Sequence, residues 1–250
     1  MLKRFFIHVW EISGFALRFF KEIFIPPYEI GEFAEHLENF GSRSFPLVST
    51  IGLLMGLILA LQTGPTLSRF GAESFLPAMV AISVVRELGP VLTALVVAGR
   101  VASGIGAEIG SMKVTEQIDA LEVSSVDPYH FLVVPRVLAG IIALPLLTAY
   151  ADALAVIGTF AVVYISGDMG WQLFMTSTVT SLSIADIVPG IGKTFFFGFI
   201  ISMVGSYFGF KATGGTASVG KAATNAVVFA SFLILVTDFI LVKAGILLFE

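Results

Sequence analysis

From Ser44 to Ser68 the chain runs for 25 residues without a charge, and about 20 apolar residues are enough to cross the hydrocarbon core of a bilayer. The pattern recurs. Residues 74–85 and 88–99 are uncharged around Arg86-Glu87, and 131–165 is broken only by Arg136 and Asp152. Two further apolar stretches cover 187–210 and 222–248. Only 13% of residues are charged, against roughly 25% in a soluble domain, so too little polar surface remains to coat a globule in water. The expected fold is an all-α integral membrane protein with about five spans, at about 44–68, 75–108, 131–165, 187–210 and 222–248.

Residues 1–43 precede this five-span domain of 44–250. On a helical wheel Arg4, His8, Glu11, Arg18 and Glu22 form one stripe flanked by Lys3 and Lys21. Leu2, Phe5, Phe6, Val9, Ile12, Ala16, Phe19, Phe20, Ile23 and Phe24 lie largely opposite. Such a helix lies in the membrane interface rather than across it. Its recurrent charges distinguish it from a signal peptide, and Pro26-Pro27 end it. Residues 29–40 read as a short connecting helix at the surface, with Ile30, Phe33, Ala34, Leu37 and Phe40 inward and Glu29, Glu32, Glu35 and Glu38 outward. Residues 168–186, rich in Ser and Thr, read as a surface segment.

Lysine and arginine fall on alternate loops. Lys3, Arg4, Arg18, Lys21 and Arg43 precede span one, and Arg100, Lys113 and Arg136 surround the loop between spans two and three. Lys211 and Lys221 lie between spans four and five. The other side carries Arg69 and no basic residue between 166 and 190. The positive-inside rule then puts the N-terminus in the cytoplasm and, after five spans, the C-terminus outside. The chain has no cysteine, which excludes disulfides and thiolate chemistry. His8, His36 and His130 are too scattered for a metal cluster, so no metal and no nucleic-acid partner is expected.

Small residues recur four apart, at Gly52/Gly56, Ala94/Ala98, Gly106/Gly110, Gly198/Ser202 and Gly205/Gly209. In lipid such pairs let helix backbones approach closely, either across a homodimer seam or between spans of one chain. The run Gly190-Ile191-Gly192-Lys193-Thr194 looks like the end of a P-loop, but Ile187 stands where the first glycine is required and no strand precedes it. Gly104-Ile105-Gly106 likewise lacks the third glycine of a dinucleotide motif, with Ile109 in its place. No ATP site of this chain is expected.

The loop after span two is the most informative. Glu116, Asp119 and Glu122 make one face of a short helix, Val114, Ile118 and Leu121 the other, and Thr115 stands where a cap belongs. The element reads either as a solvated amphipathic loop or as a helix that docks in a groove of a partner. Charges inside spans are candidates for function because each costs about 2.5–3.5 kcal/mol at mid-helix on insertion scales. Arg86 and Glu87 point about 100° apart on a helix, and the sequence assigns no partners to Asp152, Asp186, Lys193, Asp238 or Lys243.

The run Arg86-Glu87-Leu88-Gly89-Pro90-Val91-Leu92-Thr93, then Ala107-Glu108-Ile109-Gly110, Thr115-Glu116-Gln117-Ile118-Asp119-Ala120-Leu121 and Asp127-Pro128, resembles the MlaE (YrbE) permease family. The likeness continues through Val134-Pro135-Arg136, Leu144-Pro145-Leu146-Leu147 and Gly214-Gly215 to Thr224. It implies a homodimeric permease of the bacterial inner membrane that moves phospholipid. Its ATP and Mg would be bound by separate cytoplasmic ABC ATPase subunits, with a STAS-domain protein and a periplasmic MCE-domain protein as further partners. The stretch starting at Glu116 is also similar to the ATPase-docking loop of ABC importers, although Gln117-Ile118 replaces its alanine pair and Glu122 its glycine.

On that resemblance Val114, Glu116, Ile118, Asp119, Leu121 and Glu122 form the coupling helix. Arg86 and Glu87 face a lipid cavity, where Arg86 is a fork donor for phosphate, or pair with another span. Leu67, Phe70, Phe75, Leu76 and Met79 are the candidate apolar lining. Arg100 and Glu108 are expected to be structural. The rival readings are a self-sufficient secondary transporter or channel, which usually shows internal repeats absent here, and a membrane-embedded lipid enzyme, for which no catalytic set assembles.

Overall fold

The computed structural model describes the backbone of residues 2–26, 28–167 and 169–249, and the side chains of these from residue 7 to 245 and of 247. The wheel positions assigned to residues 2–6, and Pro27, lie outside the described side chains. The described helices are α1 (Leu2–Glu22), α2 (Ile30–Arg69), α3 (Leu76–Ser83), α4 (Gly89–Val114), α5 (Gln117–Val123), α6 (Pro128–Ser166), α7 (Trp171–Ser181), α8 (Ile184–Phe210) and α9 (Thr216–Phe249). A 3₁₀ turn at Glu73–Phe75 precedes α3, and a π segment at Val84–Leu88 joins α3 to α4. No strand occurs among the described residues. Five helical stretches are long and apolar enough to cross a membrane: Ile30–Arg69, Glu73–Val114, Pro128–Ser166, Ile184–Phe210 and Thr216–Gly245.

Three boundaries differ from expectation. The separate helix at 29–40 does not exist, because α2 runs unbroken from Ile30 through Arg69 with Pro46 and Pro65 inside it. A proline removes one backbone donor, but nothing at Gly41-Ser42-Arg43 stops the ladder, so the helix does not break there. The inward face also turns, with His36 and Phe40 buried while Ile30 and Ala34 are exposed. Span two continues to Val114 rather than ending near 108. The expected surface segment 168–186 is not one stretch: 171–181 form α7, whose Phe174 enters a core with Met55, Leu76, Val80, Val84 and Val163, and α8 begins at Ile184.

By packing, the chain divides into two units. One comprises residues 1–43, 97–143 and 196–234, and the other 44–96, 144–195 and 235–250. In the first, α1 packs through Ile12 and Phe19, and its half-exposed polar stripe makes its pairs along the edge of that contact. Glu11 accepts hydrogen bonds from Tyr207 and Lys211, His8 Nδ1 is 2.9 Å from the Tyr207 hydroxyl, and Arg18 reaches Asp127 at 2.5 Å. Lys211, followed by Tyr207, holds the Glu11 carboxyl below its ordinary range. Phe19 joins Tyr129, Val133, Val137 and Met203 in the core, while Trp10 is 81% exposed.

The small-residue pairs are consumed within the chain. In the second unit Gly52 and Gly56 lie against the backbone of Ala151 and Ala155. In the first, Gly106 and Gly110 meet α9 and the residues before it, Gly205 and Gly209 meet Ala102, Ile105 and Ile109, and Gly198 meets Gly140. Ala94 and Ala98 are fully buried. These pairs join spans of one chain, as close approach in lipid requires.

Candidate functional site

The second unit contains an intramembrane ion cluster built on the π segment. In Val84–Leu88 the bonding shifts to i+5, the Gly89 N–H donating to the Val84 carbonyl, and such single π turns concentrate at functional sites. Here the turn carries the adjacent pair Arg86-Glu87, and both reach α8. Arg86 Nε lies 2.9 Å from Asp186 Oδ1, and Lys193 Nζ lies 2.7 Å from Glu87 Oε2. Asp186 and Lys193 are seven residues apart, about two helical turns, which places them on one face of α8.

Each anchor has a local cause. Asp186 Oδ2 accepts from the Ser183 N–H at 3.0 Å and from its hydroxyl at 2.6 Å. The carboxylate thereby satisfies a donor at the start of α8, in capping-box fashion. Lys193, only 5% exposed, also donates to Asp238 Oδ1 of α9 at 3.0 Å. A buried ammonium needs this pairing, since an unpaired charge in a dry interior is severely penalised. The run Gly190–Thr194 is continuous helix, and Gly190 is required because a Cβ there would overlap the Val85 carbonyl of the π segment. The apparent nucleotide motif therefore records helix packing and an ion pair.

Asp152 of α6 lies 7% exposed beside this turn, and its Oδ1 has no hydrogen-bond partner among the described residues. That oxygen rests on Gly89, where an added Cβ would overlap it. Gly89→Ala is expected to cost about 1–3 kcal/mol by overpacking, read as a lowered melting temperature in detergent. The double variant Gly89→Ala/Asp152→Ala should recover part of that loss. Recovery that fails in the double variant would separate the two residues.

The remaining candidates fall in different places. Arg86 and Glu87 border a recess of about 150 Å³ with Pro189, Lys193, Leu241 and Gly245. Leu76 lines a separate cavity of about 510 Å³ with Ala60, Gly64, Ser68, Glu73 and Leu173. Leu67 packs on the neighbouring core, while Phe70, Phe75 and Met79 are exposed and line neither space. Within one chain Leu67 and Leu76 thus share one core, and Phe70, Phe75 and Met79 do not join it. In the first unit Arg136 is buried, with one guanidinium nitrogen 2.7 Å from Glu108 Oε1 and another donating to the Leu132 carbonyl at 2.7 Å. Arg100 reaches the Asn39 carbonyl at 3.4 Å. No group of metal-ligating side chains occurs among the described residues.

The loop helix α5 follows a break at Glu116, whose φ of 61° is left-handed. Thr115 does not cap it, since its hydroxyl donates back to the Ser111 carbonyl at 2.8 Å. Ile118 is 1% exposed and turned into the first unit, and Val114 and Leu121 are half-buried. The outer face carries Glu116, Asp119, Glu122 and Val123, the last 87% exposed. Lys113 pairs with Asp119 at 2.6 Å. Asp127, before Pro128, accepts from the Tyr129 N–H at 2.8 Å and so caps α6.

The sequence has counterparts. A family model described as Permease MlaE matches residues 33–244. A probable ABC transporter permease protein of Rickettsia felis is 40% identical over 235 residues, 94% of this chain and 91% of the relative. The intermembrane phospholipid transport system permease protein MlaE of Haemophilus influenzae is 37% identical over 205 residues, 80% of this chain and 77% of its own. A probable ABC transporter permease protein of Synechocystis is 34% identical over 207 residues, 83% and 79% of the two chains. The match takes in all five spans, the π segment with its charged pair and the loop helix, and on that extent this multi-pass membrane chain belongs to the MlaE permease family.

Proposed function

We propose that this chain is the permease subunit of an ATP-driven phospholipid transporter of the bacterial inner membrane. It works as a homodimer enclosing a lipid cavity, with ATP and Mg held by separate cytoplasmic ABC ATPase subunits. The observation that carries the reading is the family match over residues 33–244, with relatives named as ABC transporter permeases and one named for intermembrane phospholipid transport. A STAS-domain protein and a periplasmic MCE-domain protein complete the assembly. The distribution of Lys and Arg supports a cytoplasmic N-terminus and a periplasmic C-terminus.

In this reading α5 is the coupling element, and its outer face docks. Glu116, Asp119 and Glu122 around the protruding Val123 present an acidic rim and an apolar tip, suited to a groove with basic edges. Closure of the ATPases pushes α5, and the helix carrying Arg86 and Glu87 moves with it, compressing the lipid cavity. Ile118 supports α5 from within rather than touching the ATPase.

A pull-down in mild detergent tests this. Wild-type chain should bring a stoichiometric ATPase and phospholipid, and Val123→Asp/Glu122→Lys should retain at least tenfold less ATPase at an unchanged melting temperature. An interface hot spot is worth about 2 kcal/mol or more, and each 1.4 kcal/mol is about tenfold in affinity. Ile118→Asp should lower the melting temperature as well. A lone chain that transports without any ATPase would support a self-sufficient transporter instead.

A further inference from the structure

A slot in the first unit points to a second lipid site, separate from any transport cavity. It lies between the start of α2 and one face of α6 and occupies about 210 Å³. Its wall is Phe33 with Val134, Leu138 and Ile142, and its end is Tyr28, Glu29 and His130. Val134, Leu138 and Ile142 are four apart, so they form a continuous row along α6. We infer that this slot holds one acyl chain of a phospholipid with an amine headgroup, the headgroup resting on Tyr28 and Glu29.

The shape selects an acyl chain. From His130 to Ile142 the slot follows twelve residues of α6, about 18 Å at 1.5 Å per residue. One leaflet supplies about half of the ~30 Å hydrocarbon thickness, so the length matches a single leaflet tail. A volume of about 210 Å³ spread over that length is single-file, whereas a helix with side chains is about 10–12 Å across. The lining is almost wholly apolar, and α6 is a spanning helix. The polar end coincides with the start of α6, where a headgroup belongs.

Charge selects the headgroup. Glu29 lines the mouth, and Glu22 lies 3.7 Å from His130 Nδ1 at the same end. Arg18 is engaged with Asp127 and Glu22, and Lys21 does not line the slot. An ammonium head gains from this rim, and Tyr28 adds an aromatic face for a cation. A headgroup of net negative charge meets repulsion.

The full chain in nanodiscs containing equal phosphatidylethanolamine and phosphatidylglycerol tests the site, each lipid in turn carrying a photoactivatable acyl chain. Adducts on residues 130–142 should be at least threefold more abundant with the ethanolamine probe. Leu138→Trp should reduce them at least fivefold, and Glu29→Lys should reverse the preference. Ile142→Trp, at a position already exposed, provides a second blocking variant should Leu138→Trp fail to fold. Equal labelling by the two probes, labelling unchanged by both Trp variants, or adducts only to another polypeptide would overturn the assignment. Labelling needs neither ATP nor a partner, so this result and the transport result stand independently.

Discussion

Lys193→Ala is expected to lower stability by about 3 kcal/mol, at the lower end of what removing one partner of a buried ion pair costs. The ammonium is the bridge between Glu87 and Asp238, at 2.7 and 3.0 Å. Without it two carboxylates from different helices face each other inside a spanning region. Glu87 is half-exposed and regains some solvation, which is why the lower figure applies, whereas Asp238 is more enclosed. Thermal unfolding in detergent reads the effect. Lys193→Ala/Glu87→Gln/Asp238→Asn should recover much of the loss, because neutral groups carry little desolvation cost. If Lys193→Ala melts with wild type, the bridge contributes nothing to stability. Lys193→Met should behave like Lys193→Ala, since the missing quantity is charge rather than volume.

Gly56→Val should be the most damaging substitution in the spans. A Cβ at Gly56 would sit inside the Ala155 carbonyl, and one at Gly52 would stand 2.6 Å from the Ala151 carbonyl. Gly158 returns the contact one turn on, against the Leu53 carbonyl. Thr159 fastens the same seam, its hydroxyl reaching the carbonyls of Ala155 at 2.8 Å and Gly56 at 3.3 Å. Backbone in contact with backbone cannot yield as a flexible side chain can, so the cost should exceed the about 1–3 kcal/mol of ordinary overpacking. The expected result is loss of monodisperse protein on size exclusion, with Gly56→Ala intermediate. Gly104→Ala is the control: its Cβ meets nothing within 4 Å, and alanine gains up to about 1 kcal/mol of helix propensity over glycine. A well-folded Gly56→Val would show that α2 and α6 do not pack through this seam.

The five spans were legible because insertion in lipid is a sum over local residues. The uncharged run from Ser44 to Ser68 and the apolar stretches at 187–210 and 222–248 lie within helices that the structure assigns to 30–69, 184–210 and 216–249. The ends were less legible. Glu29, Glu32, Glu35 and Glu38 look like a surface helix, yet backbone hydrogen bonding continues through Arg43 because no residue there interrupts it. Conversely, Ser and Thr in 168–186 marked a surface segment and carried no sign of α7, whose Phe174 enters a core assembled from four other elements.

The candidate site divides along the same physical line. The charges at 86, 87, 152, 186, 193 and 238 were visible as costs, because a charge in an apolar run is expensive wherever its partner is. Ser183-Ile184-Ala185-Asp186 even carries a local capping signature. The pairing of Glu87 with Lys193 and of Lys193 with Asp238, across sequence separations of 106 and 45 residues, carries no local signature. It depends on a π turn whose extra residue reorients Arg86 and Glu87, and on Gly190 admitting α8 against that turn. Likewise an amphipathic period in 114–123 identifies two faces and cannot say which is turned inward. Ile118 is buried and Val123 exposed because the first unit supplies a surface for one and none for the other. Local chemistry thus determines where this chain crosses lipid, while long-range packing determines which charges meet and which face of α5 is left open.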